Sequence, residues 1–219
     1  AKDFYHKWLI APRYSYEKSL VDENISTLAT QTEYFLYQKQ WLKAWQYAEK
    51  LLREAPLYHP IVLHVLALSL LPLAKLGYHT RIEKWQRKAQ PKVSRLKRLE
   101  WVGHHLCYLT TTKQWSRALR LLEKHARSLS NPFTSLDQWW FILGAYFLLK
   151  TLTSHGIQQK KLRLGGFLAS CKNRKGQYDL HRCAKELKQQ LTQQAEQYDR
   201  RNRNNWYNRK IHELSTILV

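Results

Sequence analysis

Hydrophobic residues recur every three or four positions along most of the chain, which is the period of an amphipathic α-helix. In residues 25–38 one face collects Ile25, Leu28, Ala29, Thr32, Phe35 and Leu36. The same period predicts further helices over residues 40–55, 60–76, 80–89, 99–109, 115–129, 135–150, 178–198 and 206–218. Pro and Gly punctuate the connections, and Pro91 is expected to end the fourth helix.

One part of this pattern occurs twice. Residues 40–44 and 114–118 both have the sequence Gln-Trp-x-x-Ala, and their alanines are 74 residues apart. That offset is two steps of about 37, close to the roughly 34-residue period of tetratricopeptide helix pairs. Residues 140–147 have the Trp-x-x-Leu-Gly-x-x-aromatic spacing of a tetratricopeptide first helix, in which Gly144 lets a neighbouring helix approach closely. We therefore predict an all-α fold, a short tetratricopeptide-like solenoid of helical hairpins.

The pattern divides the chain into three regions. Residues 1–24 are aromatic and basic without a clear period, and predict an N-terminal arm. Residues 25–155 hold the helical repeats. In residues 156–219 glycines first interrupt the pattern, and polar, basic helical stretches follow, which predicts a helical cap on the solenoid.

The charge balance points to a polyanionic partner or an acidic protein surface. The 219 residues include 37 Lys and Arg against 16 Asp and Glu, a formal net charge of +21. This excess is larger than solubility requires of a small domain. A hydrophobic content of 44% argues against a disordered chain.

Basic residues concentrate in two places. Residues 81–98 contain a single acid, and the stretch around residues 200–210 interleaves Arg with Asn, Trp and Tyr. Such mixtures suit phosphate and sugar contacts, although a basic helical face can also be merely solvated. The predicted nucleic-acid-binding residues are Arg81, Lys84, Arg87, Lys88, Lys92, Arg95, Lys97, Arg98, Arg200, Arg201, Arg203, Arg209 and Lys210.

Motifs for catalysis or metal binding are weak. The sequence has no phosphate-binding Gly-rich loop and no Gly-x-Ser-x-Gly elbow, so an enzyme is not expected. Cys171, His181 and Cys183 lack the spacing of structural zinc ligands, and so does the group within residues 104–107, for which core packing is favoured. An odd count of three cysteines favours a reducing compartment, and no apolar run is long enough to span a bilayer. A soluble intracellular protein is expected.

Aromatic residues near both ends are candidates for partner contacts, because Trp and Tyr are favoured interface anchors. The alternative is that these side chains fold back and cap the solenoid. The predicted partner-binding residues are Phe4, Tyr5, Trp8, Tyr14, Trp206 and Tyr207.

A series of packing positions runs along the chain in a definite order. They are Gln40, Trp41, Ala44, Leu52, Pro56, Pro132, Phe133, Asp137, Trp140, Phe141, Ile142, Ala145, Leu148, Leu149, Lys150, Gly165, Gly166 and Phe167. In this order and spacing, residues 25–190 resemble the tetratricopeptide-containing subunit of the RNA polymerase I core factor, the fungal counterpart of a TBP-associated subunit of the animal selectivity factor. The chain departs from that family in being short and in lacking long acidic segments.

The resemblance implies a non-enzymatic promoter factor in the nucleus and nucleolus. Its partners would be a TFIIB-like subunit and a propeller-bearing subunit, with TBP, RNA polymerase I and the ribosomal DNA promoter nearby. No cofactor, metal, membrane contact or homo-oligomer is implied. Two other functions agree with the charge and the helices: an RNA-binding or ribosome-associated helical-repeat protein, and a tetratricopeptide adaptor that binds acidic peptides.

Overall fold

The computed structural model describes residues 23–130 and 134–216. Over these residues the protein consists of α-helices joined by short connections, with one two-stranded β-sheet. The predicted all-α fold of helical hairpins is therefore confirmed. The described residues form two compact units that divide between Ala89 and Gln90. The predicted arm, repeats and cap divide the chain at other places, and those boundaries stay predictions.

The first unit is built from consecutive antiparallel helices. The elements are α1 (Glu23–Tyr37), α2 (Trp41–Glu54), α3 (Pro60–Lys75) and the start of α4 (His79–Leu96). α1 packs against both α2 and α3. At the start of α3, Pro60 occupies the first turn, where a missing N–H costs nothing, and the His59 ring accepts a hydrogen bond from the Ile61 N–H at 3.3 Å.

The second unit is centred on a long buried helix. Its elements are the end of α4, α5 (Leu99–Thr111), α6 (Trp115–His125) with a 3₁₀ turn (Ala126–Ser130), α7 (Ser135–Ser154), β1 (Gln159–Lys161), a 3₁₀ turn (Ala169–Cys171), β2 (Gln177–Asp179), α8 (Leu180–Asn202) and α9 (Trp206–Thr216). α7 is apolar on all sides because α5 and α8 both pack against it. The oxygen of Thr134 caps α7 by accepting from the Asp137 N–H at 3.0 Å.

The repeat seen in the sequence extends to the backbone of the hairpin turns. Lys39 and Lys113, 74 positions apart, both adopt left-handed conformations, with φ of 57° and 58°. In each turn the N–H of the following glutamine reaches back to a carbonyl five residues earlier, Gln40 to Phe35 at 2.9 Å and Gln114 to Leu109 at 2.8 Å. This is the hydrogen bond that ends a helix in a Schellman motif. The two turns are equivalent in sequence, φ and hydrogen bonding.

The expectation that Pro91 ends a helix is wrong, because α4 continues to Leu96. Proline removes one backbone N–H from the helical ladder, but Pro91 is exposed, so water can satisfy the carbonyl that loses its partner. Beyond the proline, the buried Val93 and Ser94 hold the helix in place. Packing of the following turn outweighs the local preference of proline.

The region between α7 and α8 contains a structure that the helical pattern does not predict. β1 and β2 form an antiparallel pair in which Lys160 lies opposite Tyr178. The predicted C-terminal helices are present as α8 and α9, and α9 packs on α8 and α7. Within the described residues no helix combines the length and the apolar character needed to cross a membrane.

Candidate nucleic-acid interface

The basic residues that α4 contributes to the first unit lie on its exposed side. Ile82, Gln86 and Ala89 form the buried side of this part of the helix. The helical period turns the predicted nucleic-acid-binding residues away from them, and all four are exposed: Arg81, Lys84, Arg87 and Lys88.

Two of these cations have carboxylate partners. Arg81 Nη1 lies 2.6 Å from Glu49 Oε1 on α2, and Arg87 Nη2 lies 2.7 Å from Glu83 Oε1 one turn earlier. Both guanidinium groups remain more than 60% exposed, at 62% and 63%. Such exposed pairs contribute little to stability, about 0–1 kcal/mol, so both guanidinium groups can exchange a carboxylate for a phosphate.

In the second unit, the cations at the end of α4 and in the following turn differ in their exposure. Arg95 and Lys97 are exposed and Lys92 is half-buried. Arg98 turns inward, with Nε 3.7 Å from Asp137 Oδ1 and the guanidinium 5.6 Å from the Trp101 ring centre. Since its side chain is only 16% exposed, Arg98 serves the core, and we leave it out of the interface.

The C-terminal basic cluster surrounds the corner between α8 and α9. Four of its members are exposed, namely Arg200, Arg201, Arg203 and Arg209. Lys210 is half-buried, 3.4 Å from Glu213 Oε2 and 6.0 Å from the Trp206 ring centre. Arg203 ends α8 in a left-handed conformation with φ of 50°.

Asp199 fixes the geometry of this corner. Its buried carboxylate accepts hydrogen bonds from the Tyr207 N–H at 2.9 Å and from the Asn208 N–H at 3.0 Å. These are N–H groups in the first turn of α9, which have no partner within their own helix. One side chain at the end of α8 therefore caps the next helix and fixes the corner around which the exposed arginines lie.

The predicted aromatic anchors at this end are mostly engaged inside the unit. Tyr207 is only 5% exposed, and its ring lies 5.0 Å from Trp139 and 4.9 Å from Tyr198. Trp206 is half-buried, 5.9 Å from Trp140. The hydrophobic area of Tyr207 attaches α9 to the unit, as the capping alternative expects, and a partner contact by this residue stays a prediction. The anchors Phe4, Tyr5, Trp8 and Tyr14 lie outside the described residues.

Exposed apolar side chains occur instead at the turns of the first unit. Leu42 is 57% exposed next to the α1–α2 turn, and Leu76 is 39% exposed at the α3–α4 turn. Consecutive antiparallel helices put these two turns at the same end of the unit, and the Trp45 and Tyr78 rings, 6.4 Å apart, connect α2 to the second turn. Tyr58, 66% exposed, belongs to the α2–α3 turn at the opposite end.

The sequence analysis missed the basic residues between α7 and α8. Residues 157–179, hereafter the hairpin insert, hold six Lys and Arg against one acid, Asp179. The basic composition of this segment is a sequence signal for it, whereas it lacks the helical periodicity that marks the other basic segments. All six cations are exposed: Lys160, Lys161, Arg163, Lys172, Arg174 and Lys175.

The histidines and cysteines considered as metal ligands are buried core residues or lie apart. Burial, with a smaller effect of the positive Arg117, lowers the pKa of His105 to about 3. Burial raises the pKa of the Cys107 thiol to about 12 and also raises the pKa values of Cys171 and Cys183. Protonated thiols are poor ligands and nucleophiles. Across residues 23–130 and 134–216, no group of three His, Cys, Asp or Glu side chains is placed to hold a metal ion.

Each unit therefore displays exposed cations on well-packed helices, and the second unit also displays them on a small β-sheet. Comparisons with models of protein families, with curated proteins and with solved structures find no match to this chain.

Proposed function

We propose that the chain is a non-enzymatic scaffold subunit of an RNA polymerase I transcription initiation factor, the core promoter factor of the nucleolus. One observation carries the proposal: the apolar and aromatic side chains fill the cores of the two units, while ten of the thirteen predicted DNA-contacting cations are exposed. A helical framework that displays cations suits contact with the DNA backbone, where charge alone supplies affinity.

Partner subunits would bind at the end of the first unit that carries Leu42 and Leu76. Large apolar side chains exposed at the same end of a unit favour a protein contact over solvent. The partners proposed are the TFIIB-like subunit and the propeller-bearing subunit, with TBP and RNA polymerase I near the same promoter.

The resemblance to the core-factor subunit supports this proposal through packing positions. Ala44 is 1% exposed, and Phe141, Ala145 and Leu149 are each fully buried. Core positions specify a framework, whereas partners are chosen by surface residues. The proposal therefore needs a test that identifies the partners directly.

The test is purification of the tagged chain from cells that express it naturally, followed by identification of the proteins that accompany it. The TFIIB-like and propeller-bearing subunits should co-purify with the wild type. A variant carrying Leu42→Glu and Leu76→Glu should lose them, because two carboxylates would be desolvated in the contact. Tyr58→Glu is the control, since it places one carboxylate, as each of those substitutions does, on a more exposed apolar residue at the other end of the unit, and it should retain both subunits.

Other companions would favour the other functions. Ribosomal proteins in place of core-factor subunits would support the RNA-binding function. Proteins with acidic tails, such as chaperones, would support the adaptor. If the wild type brings down neither core-factor subunit, the assignment to the RNA polymerase I factor is overturned.

A further inference from the structure

The hairpin insert is firmly attached to the second unit. Leu164 is fully buried and Tyr178 is 1% exposed. The Arg163 N–H donates to Glu123 Oε1 on α6 at 2.9 Å, and the Leu180 N–H donates to the Gln158 carbonyl at 2.9 Å. These contacts hold the exposed part of the insert in a defined position.

The tip of the insert is a tight turn built around Asn173. Its Oδ1 accepts hydrogen bonds from the Lys175 N–H at 3.0 Å and from the Gln177 N–H at 2.9 Å. Gly176 supplies the positive φ of 77° that the turn requires. As a result Arg174 and Lys175 are held at the outermost point of the turn, and both are exposed.

The cations of the insert have no ion-pair partners among the described residues. Within the described residues, none of its six Lys and Arg side chains makes an ion pair or a hydrogen bond. The carboxylates at the insert accept hydrogen bonds from uncharged groups: Asp179 from the Arg182 N–H at 3.0 Å, Glu186 from Ser170 Oγ at 2.6 Å and Glu123 from the Arg163 N–H at 2.9 Å. The unpaired cations distinguish the insert from α4, where Arg81 and Arg87 have partners.

The helix that follows the insert, α8, adds further positive charge next to it. The first turn of α8 contains Arg182, and the acid that the helix dipole favours at this end is the capping residue Asp179. Arg182, Lys185 and Lys188 are all exposed.

We propose that the hairpin insert is a nucleic-acid-binding element whose cations hold the phosphate backbone of duplex DNA. This inference rests on the proposed contact with promoter DNA and names the element that makes it. A two-stranded β-ribbon fits the major groove, which is about 12 Å wide. Proteins that bind single strands stack bases on aromatic rings, but in the insert Tyr178 is buried and Phe167 is half-buried 6.3 Å from Phe141. The chemistry of the insert therefore favours duplex backbone over single-stranded bases.

The test compares two variants of the full chain that lose equal charge from the same unit. The hairpin variant carries Lys160→Gln, Lys161→Gln, Arg174→Gln and Lys175→Gln. The comparison variant carries Arg200→Gln, Arg201→Gln, Arg203→Gln and Arg209→Gln. Fluorescence anisotropy measures binding to labelled duplex DNA of two unrelated sequences over a range of salt concentrations. Circular dichroism checks that each variant keeps its helices. The DNA-binding measurement is repeated on a variant with only Arg174→Gln and Lys175→Gln, which changes the insert less.

The hairpin variant should bind both duplexes on the order of 100-fold more weakly at ~0.1 M salt, and its log–log salt slope should be shallower by up to about 3.6, since each phosphate contact contributes about 0.9. The comparison variant should change less. If the hairpin variant keeps the wild-type slope while the comparison variant loses it, the inference is overturned and the proposed function stands. Tighter wild-type binding to single-stranded or RNA oligonucleotides than to duplex DNA would also overturn it. If the wild-type chain binds no duplex DNA but still recovers both core-factor subunits, this inference and the proposed DNA contact are both overturned. The proposed scaffold function then stands.

Discussion

Gly103 of α5 and Gly144 of α7 lie against each other at the crossing of their helices. A Cβ atom added to Gly144 would sit 2.6 Å from the Gly103 carbonyl oxygen and 2.9 Å from Leu106 Cβ. A Cβ added to Gly103 would overlap the Trp140 carbonyl and sit 2.9 Å from the Phe141 nitrogen. The two helices therefore approach to a distance that only paired glycines allow.

Replacing either glycine with alanine should destabilise the protein. Helix propensity alone favours alanine by ~1 kcal/mol, but the overlap is with backbone atoms that cannot move aside, which costs roughly 1–3 kcal/mol or more. Urea unfolding of Gly103→Ala and Gly144→Ala should therefore give a lower free energy of unfolding than the wild type. Gly166→Ala is the control, because nothing lies within 4 Å of its added Cβ. Unchanged stability in both helix variants would mean that the crossing is wider than described.

Removing the carboxylate of Asp199 should loosen α9. Asp199→Ala leaves the N–H groups of Tyr207 and Asn208 without their acceptor in a buried place, at a cost of about 1–3 kcal/mol. Asp179→Ala removes the cap of α8, but that side chain is exposed and water can replace it, so the loss should be smaller. Hydrogen exchange of the α9 amides, measured beside the free energy of unfolding, should report faster exchange in Asp199→Ala. Equal effects of the two substitutions would argue against a special role for Asp199.

Replacing lysine with glycine at the two equivalent hairpin turns should stabilise the protein. Lys39 and Lys113 have left-handed backbones, which cost an ordinary residue about 1–2 kcal/mol and cost glycine almost nothing. Lys39→Gly and Lys113→Gly should each raise the free energy of unfolding by roughly 0.5–1 kcal/mol. The same substitution at Lys43, inside α2, should lower it by ~1 kcal/mol. A loss of stability at both turns would contradict the left-handed assignment.

Stability should fall as the solution becomes acidic, because two histidines are buried in neutral form. Burial lowers the pKa of His105 to about 3 and that of His125 to about 4. Below the ordinary value of 6.5 the unfolded chain takes up protons that the folded chain does not. Each histidine thus lowers the free energy of unfolding by about 1.4 kcal/mol per pH unit until its folded pKa is reached. Urea unfolding at pH 7, 5.5 and 4.5 should show a shallower decline in His105→Gln, whereas His181→Gln, at an exposed site, should follow the wild type.

The candidate interface was predictable in part. Composition identified α4 and the α8–α9 corner as basic, and most of those side chains are exposed. The inward orientation of Arg98 could not be predicted, because its partner Asp137 lies 39 positions away on another helix. The burial of Tyr207 could not be predicted either, because the rings that bury it come from α7 and α8.

Sequence alone determined the helices and the repeated turn. Both are local: a 3.6-residue period creates the apolar face of a helix, and the Gln-Trp-x-x-Ala repeat marks two turns with one backbone geometry. Tertiary structure decided which surfaces meet. Gly144 was identified as a point of close approach, but its partner Gly103 follows only from the crossing of α5 and α7. Tertiary structure also decided that α4 passes through Pro91 and that the hairpin insert forms a sheet, because packing against distant residues outweighs local preference at those positions.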